Sequence, residues 1–304
     1  MERISTSLLF SLGAERIGRQ QSEWMRTQQQ LATGRRMLAT SADPVAAAEA
    51  LRVDQALAEV RQYGANRGIA RDTMAIAEAM LAEAGDVLLE VRTLLVRAAN
   101  GALADSDRRA IAIEVEGRFQ QLLALANATA ADGTYLFAGH QAGSPPFVET
   151  PAGVAFVGDE GERRIAVAAG RDMAVSASGA ALFDRANGAK SVFTTLRELA
   201  QLLSAPVSDA DVFAASVQQG LRELDGAAAR ALAARARFGA QLRELDDLAD
   251  FGAAVEVHAQ AQLSRLRDLD YAEAASRFAA QQLALEAAQR SYLRVTTLSL
   301  FDYL

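Results

Sequence analysis

Apolar positions along this chain follow helical periods near both ends and lose them in the middle. In the first forty residues Phe10, Ile17, Trp24, Leu31 and Leu38 stand in one column, seven residues apart. The companion positions Gly13, Gln20, Thr27 and Gly34 are small or polar, so half of a heptad pattern is present. It predicts a helix with a single narrow apolar ridge. Asp43 is placed to cap a second helix, with Pro44 in its first turn, where the missing N–H has no partner to lose. Helical spacing then runs to Asn100-Gly101, resumes after Ser106, and stops at Asp132-Gly133, a glycine suited to end a helix.

From Thr134 to about Phe183 the texture changes. Three of the five prolines and a dense run of glycines lie here. The β-prone pieces "VAFV", "RRIAVAA" and "MAVSAS" are separated by the turn formers "GDEGE" and "GRD". A small β-rich insert of a few hairpins is expected.

After Lys190 helical spacing returns. "SVFTTLRELAQLLS" ends before Pro206, and Ser208 opens a pattern expected to run almost unbroken for the remainder. Val217, Leu221, Leu224, Ala228, Ala231, Arg235, Phe238, Leu242, Leu245 and Ala249 alternate by four and three. So do Tyr271, Ala274, Phe278, Gln281, Leu285, Ala288, Tyr292 and Val295. Such spacing holds one stripe toward a partner helix over many turns. A helix of roughly 90 residues would be about 135 Å long. The expected fold is therefore mainly α, an elongated hairpin-like rod with a terminal coiled coil and the β insert at its tip. Residues 1–42 and 262–304 would form the coiled coil, 43–139 and 185–261 a helical rod domain, and 140–184 a β-rich outer domain. The closing residues Tyr292, Val295, Leu298, Phe301 and Leu304 need more cover than the Phe10–Leu38 ridge provides. Residues 1 to about 40 and 265–304 are expected to order only when neighbouring subunits or a chaperone supply that surface.

Composition narrows the function classes. The apolar fraction is 51%, much of it alanine, with only 6% aromatic residues. That mix suits long helices with small contacts. A net charge of −7 argues against a nucleic-acid binder. The absence of cysteine removes disulfide and thiolate chemistry. No stretch reaches the ~18 uncharged apolar residues that span a membrane. The opening "MERISTSLLFSLGAERIG" reads as an amphipathic helix rather than a cleaved signal, because Ser and Thr interrupt its apolar run and Glu15 and Arg16 follow directly.

Candidate chemistry is sparse. His140 and His258 are the only histidines and have no spaced second ligand, so turn or surface positions explain them. Asn127-Ala-Thr129 matches a glycosylation sequon by chance inside a helical pattern. Asp246-Asp247 and Asp209/Asp211 read as solvated helix faces and caps. Nothing supports a catalytic site, a metal site or a cofactor, and the chain is expected not to be an enzyme.

Three stretches resemble the bacterial flagellin family. "QQQLATGRRMLATSADPVAAAEALRVD" (28–54) resembles its N-terminal signature. "DGTYLFAGHQAGSPPF" (132–147) is similar to the segment leading into the outer domain of the family's hook–filament junction members. "DYAEAASRFAAQQLALEAAQRSYLRVTTLSLFDYL" (270–304) is similar to the family's C-terminal helix. The resemblance implies a structural adaptor whose terminal helices pack as a coaxial tube. It implies export through the flagellar type III apparatus with a chaperone, and a place outside the cell at the hook–filament junction. Its partners would be copies of itself, hook-associated protein 1 and flagellin. The residues expected at the assembly interface are Phe10, Ile17, Trp24, Leu31, Leu38, Phe278, Leu285, Tyr292, Val295, Leu298, Phe301 and Leu304. A filament flagellin is the alternative within the family. From another class, a membrane-active helical toxin would share the alanine-rich amphipathic helices but should bind liposomes as a monomer.

Overall fold

In the computed structural model, residues 6–101, 103–151, 153–184 and 190–297 are described. Helix α1 (Thr6–Thr33) is followed by a 3₁₀ turn (Thr40–Ala42), α2 (Pro44–Ala98) and α3 (Asp105–Ala126). Four short strands come next: β1 (Phe147–Thr150), β2 (Gly153–Phe156), β3 (Arg164–Ala168) and β4 (Arg171–Ala174). Helices α4 (Gly179–Phe183), α5 (Val192–Ser204), α6 (Ala210–Arg267) and α7 (Tyr271–Thr297) complete the order. The chain is mainly α with a small β insert, as its periodicity indicated.

Three of the long helices start at a side-chain cap. Asp43 Oδ1 accepts the N–H of Ala46 at 3.0 Å ahead of Pro44. Asp209 Oδ1 accepts the N–H groups of Asp211 and Val212 at 2.9 and 3.1 Å, opening α6. Asp270 repeats the pattern at 2.9 and 3.1 Å on Ala272 and Glu273, opening α7. That third cap corrects the expectation of one helix running on from Ser208. The helix breaks after Arg267 because the backbone there is paired elsewhere. Arg36 N–H donates to the Arg267 carbonyl at 2.8 Å, and Leu269 N–H donates to the Gly34 carbonyl at 3.0 Å.

Packing divides the chain into two units, one of residues 1–59 and 254–304, the other of residues 60–253. In the first, α1 packs antiparallel on α7, while Arg267 forms a two-point ion pair with Asp54 of α2.

In the second unit α2 and α6 are bridged by Arg92–Asp225 at 2.8 Å and Arg235–Glu78 at 2.9 Å, and also by Arg71–Asp246. Between them lies a continuous core that includes Met74, Leu81, Leu88 and Leu95 of α2 and Leu224, Phe238 and Leu245 of α6. The four-and-three stripe from Val217 to Ala249 is buried or half-buried throughout.

The strands form two separate antiparallel hairpins, β1–β2 and β3–β4. β1 carries no signal that distinguished it in the sequence, and its first residue explains its place. Phe147 packs against Phe156, Phe183 and Phe193 at ring-centroid distances of 5.2, 5.9 and 5.1 Å. The hairpins share the helical core through Phe147, Val167 and Met173. Asn127, which ends α3, receives the N–H of Phe147 at 3.0 Å and donates to its carbonyl at 2.9 Å. The asparagine of the chance sequon is thus a backbone clamp.

Candidate assembly surface

The pairing of α1 with α7 brings together most of the residues singled out in the sequence. Ile17, Trp24 and Leu31 of α1 and Phe278, Leu285 and Tyr292 of α7 are half-buried. Trp24 stacks on Phe278 with ring centroids 5.4 Å apart and planes 25° apart.

Two close approaches set the register. A Cβ at Gly13 would fall 2.9 Å from Tyr292 Cδ2, and one at Gly34 would fall 2.7 Å from the Tyr271 hydroxyl. Gly13 and Gly34 are three heptads apart on one helix, as Tyr271 and Tyr292 are on the other. The intervening turns then place Gln20 across from Leu285 and Thr27 across from Phe278. The small and polar column of α1 is therefore the seat of the large column of α7. Conversely, Ile17, Trp24 and Leu31 lie across from Ala288, Gln281 and Ala274. What reads as half a heptad on one helix is completed by the other, large against small. Sequence periodicity along α1 alone misses this, because the complement sits more than two hundred residues away.

The seam has a polar interruption. Gln20 Oε1, Trp24 Nε1 and Gln281 Oε1 are buried without a hydrogen-bond partner among the described residues. A cleft of about 280 Å³ opens beside them, lined by Gln20, Glu23, Arg277, Ala280, Gln281 and Ala284. Outside the seam, Leu12, Met25, Leu283 and Leu293 are exposed, by 70% and 62% for the last two. Leu12, Met25 and Leu283 fall off the seven-residue columns of the sequence.

Leu38 leaves the column. Gly34 has φ of +67°, which ends α1 and turns the chain, so Leu38 sits in the following loop, half-buried. Phe10 and Val295 lie within α1 and α7, but their side chains are outside the described residues, as are Leu298, Phe301 and Leu304 altogether.

Charged groups serve to hold elements together. Arg171 and Glu244 meet through two parallel bonds of 2.6 and 2.7 Å. That hydrogen-bonded pairing raises the Arg171 pKa and holds the Glu244 carboxyl below its ordinary value. Arg67 is buried and donates to the Val167 carbonyl at 2.9 Å, and burial lowers its pKa. Asp159 receives the N–H groups of His140 (2.9 Å), Gly161 (2.7 Å) and Gln141 (2.9 Å), and these bonds, His140's foremost, depress its pKa. His258 lies exposed on α6. Among the described residues no group of three His, Asp or Glu side chains is placed to hold a metal ion, and no helix is long and apolar enough to cross a membrane.

Helices from the N-terminal and C-terminal parts of the chain thus pair in a coil, and the helical unit carries a β insert. Residues 4–142 match the family described as bacterial flagellin N-terminal helical region. Over 99% of its length the chain is 31% identical to flagellar hook-associated protein 3 of Salmonella typhimurium and of Escherichia coli, covering 99% of each. The chain belongs to the flagellar hook-associated protein 3 family. Its fold is also that of solved structures of lower identity. Xanthomonas campestris FlgL is 22% identical with a TM-score of 0.64, over 70% of this chain and 99% of that one. The flagellar junction protein FlgL of Legionella pneumophila is 18% identical with a TM-score of 0.62, over 72% and 100%.

Proposed function

We propose that this chain is a non-catalytic structural subunit of the bacterial flagellum, joining the hook to the filament. The observation that carries the reading is 31% identity with hook-associated protein 3 along 99% of the chain, terminal helices included. The α1–α7 coil gives it a physical basis. Its seam residues hold the two ends of one chain together, while exposed Leu12, Met25, Leu283 and Leu293 leave apolar surface for neighbours. The segments 1–42 and 262–304 act as the assembly domain, 43–139 and 185–261 as the helical domain, and 140–184 as the outer domain. The subunit leaves the cell through the flagellar type III apparatus, guarded by an export chaperone. It meets copies of itself, hook-associated protein 1 on the hook side and flagellin on the filament side.

Expression of the chain in a Salmonella strain lacking its own hook-associated protein 3 tests this. Electron microscopy should show filaments reattached to hooks, with immunogold label confined to the distal end of the hook. Label along the whole filament would make the chain a flagellin instead. Bare hooks with flagellin lost to the medium, despite export of the chain, would overturn the reading.

A further inference from the structure

Away from the coil, a cleft of about 640 Å³ lies between α6 and the segments that flank the β3–β4 hairpin. Ala177, Ala180, Leu182, Ala233 and Ala234 give it small apolar walls. Two arginines of α6, Arg230 and Arg237, also line it, two turns apart on one face of the helix. Arg237 is neutralised by Glu162 at 2.5 Å. Arg230 has no such partner. It is half-buried, its Nε donates to the Leu182 carbonyl at 3.2 Å, and among the described residues no acceptor meets its two terminal nitrogens. Burial lowers its pKa, because the guanidinium loses water without gaining a counter-ion. Ser178 belongs to the same wall, is 9% exposed, and its Oγ also lacks a partner among the described residues.

This cleft therefore offers unspent donors over an apolar surface, and that combination selects a ligand. An ionised carboxylate only accepts hydrogen bonds, and its two oxygens match the fork of a guanidinium. Glu160, exposed on the rim and without an ion pair among the described residues, disfavours a more highly charged anion such as phosphate. The alanine and leucine walls suit a short apolar body, and the volume falls within the roughly 300–1,000 Å³ of small-molecule sites.

We propose that this cleft binds a monocarboxylate with a small apolar body, its carboxylate on the terminal nitrogens of Arg230. The ligand is either a free acid or the carboxylate of a peptide chain. The assembly reading does not require it, so the two stand or fall separately.

NMR of the full-length chain, labelled at alanine and leucine methyls, tests the site by titration with benzoate and with benzamide, its uncharged counterpart. The methyls of Leu182, Ala233 and Ala234 should move saturably with benzoate, and benzamide should bind about tenfold more weakly. Arg230→Gln should weaken benzoate by about tenfold, and Arg230→Lys, which keeps the charge and loses the fork, by about threefold. Glu160→Gln should tighten it by about twofold, through removal of a rim charge. Inorganic phosphate should bind more weakly than benzoate. Circular dichroism of each variant verifies that the helices are kept, and the benzoate–benzamide comparison needs no variant. Absence of saturable shifts at these methyls, equal affinity for benzamide, tighter binding of phosphate, or full affinity in Arg230→Gln overturns the proposal. Tighter binding of acetyl-Phe-Glu-amide than of benzoate supports the site with a peptide-borne carboxylate; weaker binding supports it with a free acid.

Discussion

Trp24 of α1 lies stacked on Phe278 of α7, near the middle of the coil formed by the two ends of the chain. This ring pair sits in a seam that elsewhere sets alanine, glycine, threonine and glutamine against single large residues. Three buried polar atoms around it, on Gln20, Trp24 and Gln281, lack partners among the described residues. Such groups cost about 1–3 kcal/mol each when left unpaired. The seam should therefore open far more readily than the α2–α6 core. In hydrogen exchange on the purified chain, amides of α1 and α7 should exchange orders of magnitude faster than those near Leu81 and Phe238. Assembled flagella should close the gap. Equal protection in the free subunit would mean that the seam needs no neighbours.

Gly13 and Gly18 lie in the same helix and predict opposite outcomes. A Cβ at Gly13 meets the Tyr292 ring, whereas one at Gly18 meets nothing within 4 Å. Gly13→Val should destabilise the coil by about 1–3 kcal/mol through overpacking. Gly18→Ala should stabilise it by about 0.5–1 kcal/mol through helix propensity. Helicity followed during urea titration distinguishes the two.

Leu285 and Glu286 are adjacent but face differently, one half-buried in the seam and the other exposed. Leu285→Glu removes part of a burial worth about 1.5–3 kcal/mol when complete and places a charge against α1. Glu286→Gln changes only a solvated position. Motility of complemented cells should fall sharply for the first and hold for the second.

Asn127→Ala strips both hydrogen bonds from the Phe147 backbone while leaving the phenylalanine ring in place. Loss of a half-buried double clamp should cost about 1–3 kcal/mol. Thermal unfolding of the full chain reads the loss. Amides of β1 should be the first to lose protection.

Acid should loosen the insert before the helices melt. Asp159 and Glu244 both have carboxyl pKa values below the ordinary range, through backbone N–H groups and through Arg171 respectively. A depressed carboxylate lends stability above its unfolded pKa, and that stability disappears as pH falls through the folded value. Protection of the His140, Gln141 and Gly161 amides should thus be constant from neutrality to the upper carboxylate range and drop below it. Asp159→Asn should flatten this dependence; an unchanged profile would assign it to another group.

Local periodicity and capping were legible from the sequence alone. The seven-residue columns, the Asp43-Pro44 start, the carboxylate at Asp209 and the helix–insert–helix order each depend on residues within one or two turns of each other. The exposed faces were less legible, because Leu283 and Leu293 differ from Leu285 only in which way one helix is turned against another. Register lay beyond the sequence. That Gly13 seats Tyr292, that α6 ends so that residues 267–269 can pair with residues 34–36, and that Arg67 reaches Val167 are decided by groups far apart in the chain. Tertiary packing decides such contacts because a small residue has no preference of its own. Its meaning comes from the large side chain that another element brings to it.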